Sequence, residues 1–479
     1  MLPDEVLLVI FGFCAAPAVE EDTKRGIEAW QSLVHVCRRW RSIVFESPRH
    51  LNLRLVSTET TSVRDTLDVW PPLPLVIWAN LGRIQGLTAL DNIIKVLEHR
   101  DRVDEIHFWH ESDISSLEEV LAAMQEPFPE LTDLKLWSRL ETVRVVPDQV
   151  PDSFLGGSAP RLEFLKLKGI PFPGLPNLLR SATRIVDLQL SDIPHSGYFS
   201  PDTLVTALST LTSLQTLVLQ FRSPRSHPDP AIRRLLLSTR AVLPVLTGFS
   251  FKGACEYLDD FVGRIDTPRI HELTVTFFND IVFDAPQFIQ FIDRIPMLKQ
   301  FDKAHVIFGK DAASVNFPSF LTSVDSNGSV RSLIVEVSCS DLDWQASFLE
   351  QVCTSWLSVL STTENLYIDQ DPYSYFKWQD NIENTLWLDL LRPFTTMKNL
   401  YLSWDLVQRI GPALQELDEG RTTEVLPTLQ NIFWEKDYSL EPGDPPQPVP
   451  EDIQQFVAMR QVAGHPIAVS SWEKDSTFF

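Results

Sequence analysis

Cysteine is scarce: the five residues Cys14, Cys37, Cys255, Cys339 and Cys353 include no C-x-x-C pair. That excludes a disulfide framework and a zinc ribbon, and points to reduced thiols in cytoplasm or nucleus. Positive charge is also short. Against 64 Asp and Glu stand 41 Lys and Arg, a formal net charge of −23. A phosphate backbone is repelled by such a chain, so no nucleic-acid partner is expected. No apolar run reaches the roughly 18 residues of a spanning helix, which argues against a membrane. Met1-Leu2-Pro3-Asp4-Glu5 puts acids where a secretion signal is basic. The sequon Asn327-Gly328-Ser329 therefore reads as a turn. G-x-S-x-G, H-E-x-x-H, P-loop and G-x-G-x-x-G signatures are missing. The chain reads as a non-enzyme with no catalytic residue, metal or cofactor. His107 and His110, three apart on a strand, point to opposite faces and would not share a metal. The acids Asp259, Asp260, Glu20, Glu21 and Asp22 read as solvated surface.

A hydrophobic fraction of 44% with 22% charged residues describes a folded chain. At 479 residues a length prior gives about three domains, unless the chain is a repeat array. Near the start, Leu2-Pro3-Asp4-Glu5 opens a helix, with proline and acids suited to a helix N-terminus. Val6, Leu7, Ile10, Phe11 and Phe13 follow at helical spacing. A polar loop leads to a second amphipathic helix from Trp30, whose apolar stripe reads Leu33, Val36, Cys37, Trp40, Ile43 and Val44. Cys37 on that stripe reads as a packed small hydrophobe. Ser47-Pro48 ends the helix. About fifty residues bury little apolar surface alone, so this unit needs a neighbour.

LPDEVLLVIF followed by LVHVCRRWRSIVFESPRHL resembles the F-box: an LPxE-type opening helix, a variable loop and a V-C-R-x-W helix. The resemblance implies docking to a Skp-type adaptor and, through it, to a cullin. It assigns adaptor contact or support to Leu2, Pro3, Leu7, Ile10, Phe11, Val36 and Trp40.

After residue 50 the template apolar-x-x-apolar-x-apolar recurs. It starts at Val103/Ile106/Phe108, Leu131/Leu134/Leu136 and Leu162/Leu165/Leu167. It runs through a degenerate copy near Leu298/Phe301 to Met397/Leu400/Leu402 and Leu429/Ile432/Trp434. About twelve copies recur with a period of about 30 residues. Helical stretches lie between them, among them 92–102, 116–125, 342–360 and a run opened by Ser200-Pro201-Asp202. The pattern resembles leucine-rich-repeat proteins, most closely the divergent F-box–repeat proteins abundant in mushroom-forming fungi. The family's Asn or Cys three residues after LxL is absent: Arg139, Ile170, Ile193, Arg222, Ser338, Asp371 and Asp405 stand there. This predicts uneven helices.

The expected fold is α/β: an F-box at 1–50, a leucine-rich-repeat-like β/α solenoid (horseshoe) at 51–436, and a proline-rich loop with a terminal helix and strand as cap at 437–479. Residues between the buried leucines of each strand face the open side of the sheet. Trp109, Trp137, Phe164, Tyr367, Tyr401 and Phe433 are the target-binding candidates, since aromatics on an exposed sheet face are hot-spot material. Alternatively these rings stack on one another across adjacent strands. The resemblance implies a substrate-recognition subunit of a Skp–cullin–F-box ubiquitin ligase that binds an unknown target protein. The alternative is a scaffold that binds partners without promoting ubiquitination.

Overall fold

The computed structural model describes residues 2–15, 30–48, 50–61, 63, 67–83, 87–110, 114–138, 150, 151, 153–224, 240–278, 282–319, 331–371, 382–417, 423–435 and 448–472. Most of the proline-rich stretch, the sequon, Arg139 and the acids Glu20 to Asp22 lie outside them. The backbone divides into two compact units, Met1–Thr216 and Leu217–Phe479.

The first unit opens with α1 (Asp4–Ala15) and α2 (Arg38–Glu46). The sequence predicted one helix from Trp30 onward, and the structure breaks it. Residues 30–34 are helical, His35 and Val36 turn, and Cys37 is extended (φ −159°, ψ 169°). Trp30 is turned into the core, its Nε1 donating to Arg54 O at 3.0 Å, with its ring against Trp70 and Phe45. Arg41 Nε closes the break by donating to Val34 O at 3.0 Å. The break turns Cys37 outward, so it is exposed rather than packed.

Six parallel strands follow, each beside the next: β1 (Leu55–Thr58), β2 (Leu75–Asn80), β3 (Val103–His110), β4 (Asp133–Ser138), β5 (Phe164–Lys168) and β6 (Asp187–Ile193). In β4 the side chains alternate, with Leu134 and Leu136 fully buried and Asp133, Lys135 and Trp137 on the other face. The register aligns Ile106 with Leu134 and Phe108 with Leu136, so each LxL pair extends a continuous apolar row. Between strands lie α3 (Leu87–Leu97), α4 (Ile114–Ala123), α5 (Leu175–Leu179) and α6 (Pro201–Leu208). The α3 helix stops before the predicted 102, because Arg102 is used by the sheet. Its carbonyl accepts from Leu75 N at 2.8 Å and its guanidinium donates to Leu73 O at 3.0 Å. The predicted start of α6 is observed, with Ser200 Oγ accepting from Thr203 N.

The second unit is again mixed α/β. Its main sheet has the order β7 (Thr216–Phe221), β9 (Gly248–Gly253), β11 (Glu272–Phe278), β14 (Arg331–Ser338), β13 (Ala313–Ser319), β12 (Lys303–Phe308), β15 (Asn365–Gln370), β16 (Asn399–Leu402), β17 (Asn431–Glu435) and β18 (Ala468–Trp472). A separate two-residue pair joins β8 (Ala241–Val242) and β10 (Ile265–Asp266). The strand expected near Leu298 lies further on, at β12, while Leu298 and Phe301 are buried before it. From β12 the chain reverses into antiparallel β13, then β14, which lands beside β11. These three strands therefore stand in reverse order in the sheet, with β13 antiparallel to both neighbours while β12 and β14 run parallel to β15 and β11.

The helices are uneven, as the missing Asn or Cys predicted: α5 has 5 residues and the helix Leu342–Ser355 has 14. The predicted helix over 342–360 is interrupted at buried Trp356. A different ladder occurs at strand starts: Asn399 Nδ2 donates to Asn365 Oδ1 at 2.8 Å and Asn431 Nδ2 to Asn399 Oδ1 at 2.7 Å. Asp259 and Asp260 are not idle surface. Asp259 Oδ1 accepts from Gln287 N and Phe288 N at 2.7 and 3.0 Å, capping the helix Pro286–Arg294, and Asp260 pairs with Arg264 at 2.8 Å.

Candidate functional site

Two kinds of surface stand out. The first is the N-terminal helix pair. Its inner side is sealed: Leu7, Phe11, Ile43 and Val44 are buried, and Trp40 packs on Phe11 with ring centroids 4.7 Å apart. Arg39 ties the two helices, its Nε donating to Asp4 Oδ1 at 2.9 Å and its Nη2 to Leu2 O. Leu7 and Phe11 are therefore buried within the pair. Trp40 is half-buried, and Pro3 is exposed. Leu2, Val6, Val9, Ile10 and Phe13 stay exposed, as does Val36 at 59%. The bare side chains thus come from α1, from Leu2 just ahead of it and from the break before α2.

The second surface is the open face of each sheet. In the first unit Trp109 and Trp137 are register partners, edge to face at 6.1 Å, and both are half-buried. Lys166 Nζ lies 5.0 Å over the Trp137 ring, and Phe164 is 42% exposed beside Asp133. In the second unit the candidates form one stack: His305 on Tyr367 at 4.4 Å, Tyr367 on Tyr401 at 4.2 Å, Tyr401 on Phe433 at 4.5 Å. Trp472 lies edge-on to both tyrosines. Tyr367 is 7% exposed, and burial pushes its hydroxyl well above the usual range. The alternative in which rings stack across strands is what this end displays, leaving Tyr401 and Phe433 half-buried.

Sequence reading passed over Trp78, Glu105 and Asp133, and considered His107 only with His110, which faces the other way. His107 stacks on Trp78 at 5.5 Å and stands edge-on to Trp109 at 6.2 Å. Its Nε2 lies 3.4 Å from Asp133 Oδ2 and 3.8 Å from Glu105 Oε2. The signal was present, since Glu105 and His107 are two apart on a strand and share a face. His110, as expected, is buried on the opposite face.

The two units thus define a mixed α/β repeat protein built on parallel strands. No protein-family model matches the chain, and no curated protein matches it. Among solved structures it is similar to the leucine-rich repeat-containing protein LegL7 from Legionella pneumophila, at 12% identity and TM-score 0.27, over 76% of this chain and 91% of that one. It is also similar to the crystal structure of the Rad7 and Elc1 complex in yeast, at 11% identity and TM-score 0.23, over 93% of this chain and 91% of that one. Among the described residues no helix is long and apolar enough to cross a membrane.

Proposed function

We propose that this chain is the substrate-recognition subunit of a Skp–cullin–F-box ubiquitin ligase. The observation that carries the reading is the bare apolar side of the N-terminal helix pair. Leu2, Val6, Val9, Ile10 and Phe13 stay exposed at helical spacing while Leu7 and Phe11 are buried, and Val36 is exposed at the break before α2. Covering apolar surface is worth about 25 cal/mol per Å², and a contiguous bare patch on a folded protein marks a binding site. The F-box resemblance of the same residues names a Skp-type adaptor as the cover. The target protein then sits on the open sheet face, around Trp109, Trp137 and Phe164 or around Tyr401 and Phe433. The mechanism is proximity: the held target presents its lysine at high effective concentration to a ubiquitin-charged enzyme. No residue of this chain does covalent chemistry in that scheme.

Pull-down of the full chain with a Skp-type adaptor tests it. The double variant Ile10→Glu, Val36→Glu places charges on exposed positions, so circular dichroism should be unchanged while adaptor capture falls at least about tenfold, the loss of 1.4 kcal/mol or more. Capture unaffected by the substitutions would remove the reading. Co-recovery of a cullin separates a ligase subunit from a partner-binding scaffold.

A further inference from the structure

The Glu105, His107 and Asp133 constellation has no part in the docking scheme. Asp133 is the register partner of Glu105 on the neighbouring strand, and one ligand atom from each of the three residues lies within 4.8 Å of the others. In a tetrahedral site with metal–ligand bonds of about 2.0–2.1 Å, ligand atoms stand about 3.4 Å apart. The separation of 3.4 Å from His107 Nε2 to Asp133 Oδ2 equals that edge, and the 3.8 Å to Glu105 Oε2 is slightly longer. We propose that Glu105 Oε2, His107 Nε2 and Asp133 Oδ2 bind a divalent transition cation of the zinc kind.

Several independent features support it. The imidazole is held by Trp78 stacked at 15° and by Trp109 edge-on, so its nitrogen is aimed before any ion arrives. The two oxygens of Glu105 are divided: Oε1 pairs with Arg54, while Oε2 faces His107. Lys135 Nζ lies 2.8 Å from Asp133 Oδ2 and 3.4 Å from His107 Nε2. Its ammonium touches two of the three ligand atoms and stands in for the cation. A lysine on a flexible stem, one-third exposed, can swing to solvent when a better cation arrives. One imidazole with two carboxylates suits zinc, nickel or copper better than magnesium or calcium, which take oxygen alone. Three protein ligands leave a position for water or for a side chain of a bound protein.

The test is zinc titration of the full chain by calorimetry at neutral pH in a non-chelating buffer, paired with quenching of tryptophan fluorescence by Cu²⁺. One zinc per chain is expected, with quenching from Trp78 and Trp109. His107→Gln and Asp133→Asn should each weaken binding by at least about 10–100-fold, the loss that even an outer-shell partner causes, and His107→Gln should abolish the quenching. Lys135→Met, which removes the competitor without touching a ligand, should tighten binding about tenfold, or 1.4 kcal/mol. No zinc uptake by either wild type or Lys135→Met would overturn the proposal. So would His107→Gln binding as the wild type does, with folding verified by circular dichroism. Adaptor capture has no bearing on either outcome.

Discussion

Two carboxyl groups on the open sheet faces respond to burial in opposite ways. Burial pushes Asp133 up, but hydrogen bonds from His107 and Lys135 and their charges outweigh it and hold the group below the usual carboxylate range. Burial also pushes Glu336 up, and there the charge of Lys252 and a hydrogen bond from Thr276 offset it only in part, leaving the group raised. A depressed acid stabilises the fold above the ordinary carboxylate range, and that stability is lost as pH falls through the folded value. A raised acid costs stability at neutral pH and is relieved as pH falls through its raised value. Urea midpoints should therefore move oppositely: Asp133→Asn lowers the midpoint near neutrality, Glu336→Gln raises it, and both differences shrink in acid. Capping gives a second residue-scale outcome. Asp259→Ala removes the acceptor shared by Gln287 N and Phe288 N and should cost about 1 kcal/mol, within roughly 0.5–2, read from the same denaturation curves. Asp259 was not legible as a working residue from sequence, and of the His107 cluster only the face shared with Glu105 was. A cap supplied by one helix to the next, and a cluster assembled from two strands, depend on register, which local pattern does not encode.

At the scale of elements, the repeat strands were legible because each LxL pair is a period-2 signal whose leucines reach full burial. Strand β2 was missed because Leu75 to Ala79 reads as one apolar run, and β13 because ASVNFPS carries no such template. The backward meander was illegible for another reason: which neighbour a strand chooses is set by tertiary contacts. One of these contacts is Gln345, fully buried at the start of the helix after β14. Its Nε2 donates to Gly309 O at 2.9 Å and to Cys339 O at 2.6 Å, joining the β12–β13 turn to the end of β14. That turn is tight: Gly309 N donates to Ala312 O at 2.8 Å, and a Cβ on Gly309 would meet the same oxygen at 2.8 Å. Gln345→Leu keeps the volume but removes the donor from two carbonyls, and should destabilise by about 2–4 kcal/mol. A change below about 0.5 kcal/mol would show that the meander is held by its strand pairing alone.

At the scale of the whole chain, an array of parallel strands has a recurring problem at its edges, where unpaired backbone groups invite other chains. In the second unit β18 meets that need for β17, pairing from Asn431–Ala468 to Glu435–Trp472. The helix Glu451–Val462 docks ahead of it through buried Ile453 and Phe456. Buried Arg460 reaches the carbonyls of Leu426, Pro427 and Leu429 at 3.4–3.5 Å. Sequence pattern puts the helix at Ile453 to Gln461 and the strand at Pro466 to Trp472, close to what is observed because proline marks their borders, but does not show that Trp472 returns over Tyr367 and Tyr401. Stopping the chain after Pro466 removes β18 and Trp472 while keeping the helix. The shortened protein then presents the bare β17 edge and an uncovered ring stack. It should lose stability, by about 2 kcal/mol for the two edge-on aromatic contacts at 0.5–1.5 each, and self-associate in a concentration-dependent way by light scattering. Trp472→Ala in the full chain separates the two effects: it should reproduce the loss of stability without the self-association, because the strand still covers the edge. A shortened chain that stays monomeric and as stable as the parent would mean that the stack and the β17 edge need no cover.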